Sequence, residues 1–203
     1  GCGGGSKSAK KVSGKILTIE MGPEVESIDP ALNTTNDGAN YLTYLFDNLL
    51  RTDKDGKVVP SLAQKYEVSD DGLIWTFHLR DGLKWSDGSD FTANDFVYSW
   101  QRMVDPDVAA PYAETVLGMV EGYDEAIGKP DENGNQTTTP DITKLRVEAP
   151  DDKTFVVHMS HPTPYFDKLA TFAALSPVKK DVVEAKPDGW TLDPKTYIST
   201  GPF

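Results

Sequence analysis

The sequence predicts a mixed α/β body, and three stretches carry that expectation. Residues 73–79 alternate, with Trp75, Phe77 and Leu79 on one side and Thr76 and His78 on the other, the period of a half-buried strand. Residues 96–104 place Phe96, Val97, Trp100 and Val104 on one stripe at helical spacing. Residues 145–149 and 154–159 are β-prone runs around Pro150-Asp151-Asp152-Lys153, a hairpin pattern. Strand and helix periods are interspersed and no internal repeat is present, so a helix bundle or a pure sandwich fits poorly.

Taken in order, residues 2–11 form a Gly/Ser/Lys segment that favours a solvated tether. Residues 16–21 are β-branched and apolar, a strand ended by Gly22-Pro23. Ser27-Ile28-Asp29-Pro30 reads as a turn. Residues 36–50 predict a helix, capped by Asn36 or Asp37, with Leu42, Leu45, Phe46, Leu49 and Leu50 at helical spacing. Asp53-Lys54-Asp55-Gly56 turns the chain between 49–51 and Val58-Val59, and Asp70-Asp71-Gly72 precedes the alternating strand. Thr92-Ala93-Asn94-Asp95 is a capping box with Asp in place of Glu, and Asp105-Pro106 closes the helix it opens. Residues 129–141, rich in Asn, Thr, Pro and Gly, predict a surface loop. Helices are expected over 164–174 and 180–185.

The charge balance excludes several partners. With 20 basic and 32 acidic residues the net charge is −12. No basic face exists to neutralise phosphates, so nucleic acid is excluded as a partner, and electrostatic docking on an anionic membrane is unfavourable. No run of 18 apolar residues is present. The single cysteine, Cys2, cannot form an internal disulfide.

Patterns for cofactor or metal chemistry are missing. The Asp-Gly pairs at 55–56, 71–72, 81–82 and 87–88 are turn signals. Asp53-x-Asp55-Gly56 begins like a calcium loop, but the twelfth position holds Gln64 instead of a bidentate Glu. His78, His158 and His161 have no partners at zinc-site spacing, and His78 reads as a strand histidine with a hydrogen-bonded ring. No nucleophile elbow, phosphate loop or dinucleotide fingerprint occurs. The expectation from these residues is therefore no cofactor and no metal, while a carboxylate pair suited to hydrolysis stays open among the 32 acidic residues. The tryptophans at 75, 85, 100 and 190 read mainly as core, whereas Tyr112, in the loop-like Ala110-Pro111-Tyr112-Ala113, is placed to face a ligand.

Several segments in order resemble the family-5 extracytoplasmic solute-binding proteins. They are Glu24-Val25-Glu26-Ser27-Ile28-Asp29-Pro30, Leu45-Phe46-Asp47-Asn48-Leu49-Leu50, Val59-Pro60-Ser61-Leu62-Ala63 and Trp75-Thr76-Phe77-His78-Leu79-Arg80. Lys84-Trp85-Ser86-Asp87-Gly88 and Phe91-Thr92-Ala93-Asn94-Asp95-Phe96-Val97-Tyr98-Ser99-Trp100-Gln101-Arg102 continue the match. Ala110-Pro111-Tyr112-Ala113, Pro164-Tyr165-Phe166 and Ser176-Pro177-Val178 extend it. Cys2 and the segment after it resemble the mature start of a bacterial lipoprotein.

The resemblance implies a periplasmic-binding-protein type II-like fold, with a partial first lobe and an inserted α+β accessory domain. It divides the chain into a tether at 1–13, the start of the first lobe at 14–46, the accessory domain at 47–170 and a return to the first lobe at 171–203. The second lobe would lie beyond Phe203, so this chain by itself would bind peptide weakly or undetectably. The implied function is the receptor of an ABC importer, capturing extended oligopeptides and delivering them to permease subunits. Its implied place is the outer face of the bacterial cytoplasmic membrane, held through a lipid on Cys2. By the same resemblance, Thr34, Thr35, Asn36 and Tyr112 would contact the peptide. Thr34 and Asn36 depart from the acidic and aliphatic residues of the family pattern, so main-chain contacts would survive there and side-chain contacts would not. The alternatives are the same family with another cargo (dipeptide, nickel, haem or oligosaccharide) or, from a different class, a secreted acidic hydrolase.

Overall fold

A computed structural model describes residues 47–136, 138–185 and 198–199. The strands are β1 (Leu50–Thr52), β2 (Val58–Pro60), β3 (Ala63–Val68), β4 (Ile74–Leu79), β5 (Lys84–Trp85), β6 (Val147–Asp151), β7 (Thr154–His158) and β8 (Ile198–Ser199). The helices are α1 (Ala93–Met103), α2 (Ala113–Leu117), α3 (Tyr123–Ile127), α4 (Phe166–Leu169) and α5 (Lys180–Ala185), with 3₁₀ turns at Ile142–Lys144 and Ala173–Leu175.

The central element is an antiparallel sheet in the order β3-β4-β7-β6. Trp75 lies opposite Val157, and Phe77 opposite Phe155. These four side chains are buried on the inner face. The outer face carries His78, whose Nε2 lies 2.7 Å from Glu67 Oε1. The alternation read from residues 73–79 is thus the division between core and solvent. Pro150 falls where the β6–β7 register shifts, on the sheet's edge strand, where a residue without an N–H is tolerated.

Helix α1 packs against the inner face. Its buried Phe96 and Trp100 meet Phe155 at ring-centroid distances of 5.4 and 4.9 Å, the second edge-to-face. The capping box is formed, and the Thr92 N–H donates to Asp95 Oδ2 at 2.9 Å. Trp75, Trp85 and Trp100 are all buried, as a core reading requires, while Trp190 lies outside the described residues.

Two helix expectations need correction. Of the stretch 36–50, the described residues 47–50 are not helical, and Leu50 opens β1 opposite Pro60. Long-range pairing wins there: the Leu49 carbonyl accepts from Ser61 and Ala63, and the Asn48 carbonyl from Leu62. Of 164–174, only Phe166–Leu169 is α-helical, followed by the 3₁₀ turn Ala173–Leu175. The Phe172 carbonyl accepts both the Leu175 N–H of that turn at 3.0 Å and Asn48 Nδ2 at 2.6 Å. The helix at 180–185, the hairpin around Pro150 and the loop after Lys129 are present as expected. The strand at 16–21 and the turn at 27–30 fall outside the described residues.

Candidate functional site

The Tyr112 loop begins where α1 ends. Asp105 organises the turn: its Oδ1 accepts the Asp107 N–H at 2.9 Å, and its carbonyl accepts from Val108 and Ala109 at 3.0 and 3.3 Å. Ala109 then adopts a left-handed conformation, φ 53°. Pro111 fixes the next φ, and Tyr112 becomes the N-cap of α2, with its carbonyl accepting the Val116 N–H at 3.1 Å. Ala113, Val116 and Leu117 are buried and anchor the short helix in the core. Tyr112 itself is 38% exposed, so the loop leaves part of an aromatic residue open to solvent on a braced base.

A second feature is the seam between α1 and residues 170–180. Trp100 Nε1 donates to the Leu175 carbonyl at 3.0 Å. Ser99 Oγ accepts the buried Val178 N–H at 2.8 Å. Lys180 Nζ sits 5.8 Å from the Tyr98 ring centre, a cation–π contact. At the edge of the seam Lys179 pairs with Asp87. The hydrogen bond from Lys179, with those from Ser89, holds the Asp87 carboxyl at about 2. Asp95 shifts the other way, because burial outweighs the bonds it accepts. The Ser86-Asp87-Gly88 motif signalled the turn, but nothing local to it announced the lysine 92 residues away.

A hollow of about 200 Å³ lies beside Arg80, Lys84, Asp90, Thr92 and Lys153. It is smaller than a typical ligand pocket. Its charges are largely matched, Lys84 with Asp90 and Lys153 with Asp81. Among the described residues no cluster of three or more His, Cys, Asp or Glu is arranged to hold a metal ion. Asp95, the half-buried carboxyl, serves as a helix cap. Of the residues expected to contact ligand, Tyr112 is the one described. Thr34, Thr35 and Asn36, and the expected lipid-bearing Cys2, lie outside the described residues.

Comparison with known proteins places this architecture. The family model for bacterial extracellular solute-binding proteins, family 5 middle, matches residues 57–203. The periplasmic oligopeptide-binding protein OppA of Salmonella typhimurium is 42% identical over 192 residues, covering 93% of this chain and 33% of the relative. Burkholderia pseudomallei OppA superposes with a TM-score of 0.74 at 37% identity, over 88% of this chain and 33% of that one. Haemophilus influenzae OppA, solved in complex with RPPGFSPFR, gives 0.72 at 37% identity, over 85% and 32%. The mixed α/β fold is the one these binding proteins share, and the chain spans about a third of the length of the relatives it matches. This chain belongs to the family 5 bacterial extracellular solute-binding proteins.

Proposed function

We propose that this chain is part of the receptor of an ABC importer, one that captures extended oligopeptides and passes them to permease subunits. The observation that carries the reading is 42% identity, over 93% of the chain, to a protein named for oligopeptide binding. The braced, solvent-facing Tyr112 supports it from the geometry.

In this reading the protein binds and releases without chemistry. An extended peptide pairs its backbone with the cleft wall, which suits cargo of variable sequence because main-chain hydrogen bonds ignore side-chain identity. Thr34, Thr35 and Asn36 supply main-chain contacts, and Tyr112 supplies an aromatic surface. Residues 14–46 and 171–203 belong to the first lobe, and 47–170 form the accessory domain. The hydrogen bond that Ser99 accepts from the Val178 N–H and the one that Trp100 donates to the Leu175 carbonyl support a firm join between the two. The tether 1–13 holds the receptor outside the cytoplasmic membrane through a lipid on Cys2. Closure of two lobes on the peptide selects the form that the permease accepts.

Isothermal titration with mixed tri- to pentapeptides tests this. The two-lobed protein should bind at micromolar or tighter Kd, and the 203-residue chain should bind weakly or undetectably. Micromolar binding by the single chain would overturn the two-lobed capture mechanism. Binding of dipeptide, nickel, haem or oligosaccharide in preference to longer peptides would replace the cargo and keep the family.

A further inference from the structure

Ala109 is the one non-glycine residue at positive φ among the described residues. Its side chain is exposed, so no packing contact explains the choice of backbone. An L-residue with a Cβ disfavours this region, because Cβ crowds the following carbonyl. Such a conformation persists only where the flanking structure over-determines it.

The flanks do so here. Upstream, Asp105 gathers three N–H groups, those of Asp107, Val108 and Ala109, and ends the α1 segment with a closed turn. Downstream, Pro111 has a fixed φ and α2 is anchored by the buried Ala113, Val116 and Leu117. Two rigid pieces are therefore joined by Ala109 and Ala110, and the left-handed step at Ala109 sets the direction in which the second piece leaves. The first side chain on that second piece to carry a ring and a polar handle is Tyr112, three residues on.

We propose that Ala109 is a positioning residue for peptide binding, its left-handed backbone aiming Tyr112 into the cleft. The inference rests on the peptide-receptor reading above and adds to it a residue that touches no ligand. Holding the loop in one direction before the peptide arrives removes an ordering cost from binding, which is how a pre-organised contact gains affinity.

The test is a double-mutant cycle on peptide affinity, read by titration calorimetry in the two-lobed protein, with Tm measured in parallel. Tyr112→Ala should weaken binding about tenfold. Ala109→Val, β-branched and averse to positive φ, should weaken it by a similar factor, and the double variant should be no weaker than either alone. Asn tolerates the left-handed region, so Ala109→Asn should keep the affinity. Asp105→Ala loosens the same turn from its other end with the residue at 109 unchanged, and should also fail to add to Tyr112→Ala. It carries the test if Ala109→Val does not fold. An unaffected Tyr112→Ala would remove Tyr112 from the site and with it that part of the peptide-receptor reading. A weakened Tyr112→Ala beside an Asp105→Ala or a folded Ala109→Val of wild-type affinity, or with losses that multiply, would overturn the positioning role alone. A fall in Tm with unchanged Kd would mark Ala109 as structural and also overturn it.

Discussion

The indole of Trp100 donates its N–H to the carbonyl of Leu175, 75 residues later, at 3.0 Å. Trp100 is fully buried, and its ring also meets Phe155 and Phe166. One side chain therefore joins helix α1, the inner face of the sheet and the chain returning through the 3₁₀ turn. The bond matters because Leu175 is itself buried, where a carbonyl without a partner would carry its full desolvation cost.

Trp100→Phe should destabilise the chain by about 2–3 kcal/mol, combining a smaller ring in a packed core with an orphaned Leu175 carbonyl. Urea unfolding measures this as a lower midpoint at unchanged m-value. A loss below about 0.5 kcal/mol would mean that the bond and the packing around the indole carry little of the stability.

Asp87 predicts a pH dependence at the seam. Its folded pKa is about 2, below the ordinary 3.8, chiefly through the hydrogen bond from Lys179. A depressed carboxyl stabilises the fold fully above its unfolded value and loses that contribution as pH falls through its folded value. The window is therefore about 4 down to 2. In Asp87→Asn the Tm should fall less steeply across that window than in the wild type. Parallel curves would show that the Lys179 pair adds nothing to stability.

The parts of this fold legible in the sequence are those whose partners are close by or whose period is complete. The β6–β7 hairpin, the alternation of β4 and the capped α1 each carry their own signal within a dozen residues. β3 does not: apart from Ala63 it is exposed, and Gln64, Lys65 and Glu67 give it the look of a loop. Helices α2 and α3 have five residues each, too short for a 3.6 period to register. The helix expected over 164–174 stops short where the Phe172 carbonyl and, just beyond the stretch, the Leu175 carbonyl bond to distant side chains, Asn48 and Trp100, which no local pattern records. The loop that carries Tyr112 divides the same way. Ala110-Pro111 marked it as a loop in the sequence, whereas the left-handed backbone at Ala109 depends on Asp105 and α2 holding both ends, and alanine gives no hint of it.

Asp95 should respond to pH in the opposite sense from Asp87. Burial raises its folded pKa above 3.8 despite the bonds from the Thr92 N–H and from Trp85. A raised carboxyl contributes stability below its unfolded value and loses it as pH rises through its folded value. Asp95→Asn keeps an acceptor oxygen for Thr92 without the buried charge. It should be at least as stable as the wild type at pH 7, and its advantage should vanish near pH 3. Urea midpoints at the two pH values measure this. A wild type clearly more stable at pH 7 would show that the charge gains more from the N-terminus of α1 than it loses by burial.

Gly122 and Gly56 separate two costs that usually come together. Both have positive φ, 83° and 81°. Gly56 sits in the open β1–β2 turn, where an added Cβ would meet nothing within 4 Å. At Gly122 an added Cβ would stand 1.8 Å from the Lys144 carbonyl oxygen. Lys144 cannot easily retreat, because the neighbouring Arg146 N–H donates to the Glu121 carbonyl at 2.9 Å and the two side chains pair at 3.0 Å. Gly56→Ala should therefore cost about 1 kcal/mol, the backbone preference alone. Gly122→Ala should cost about 3–5 kcal/mol, because the backbone must move as well. Equal losses in urea unfolding would mean that α3 can shift away from the 142–144 turn freely. A large difference identifies Gly122 as the point where the two are pressed together, with the bonds from Arg146 and from Glu121 to the His158 carbonyl keeping them there.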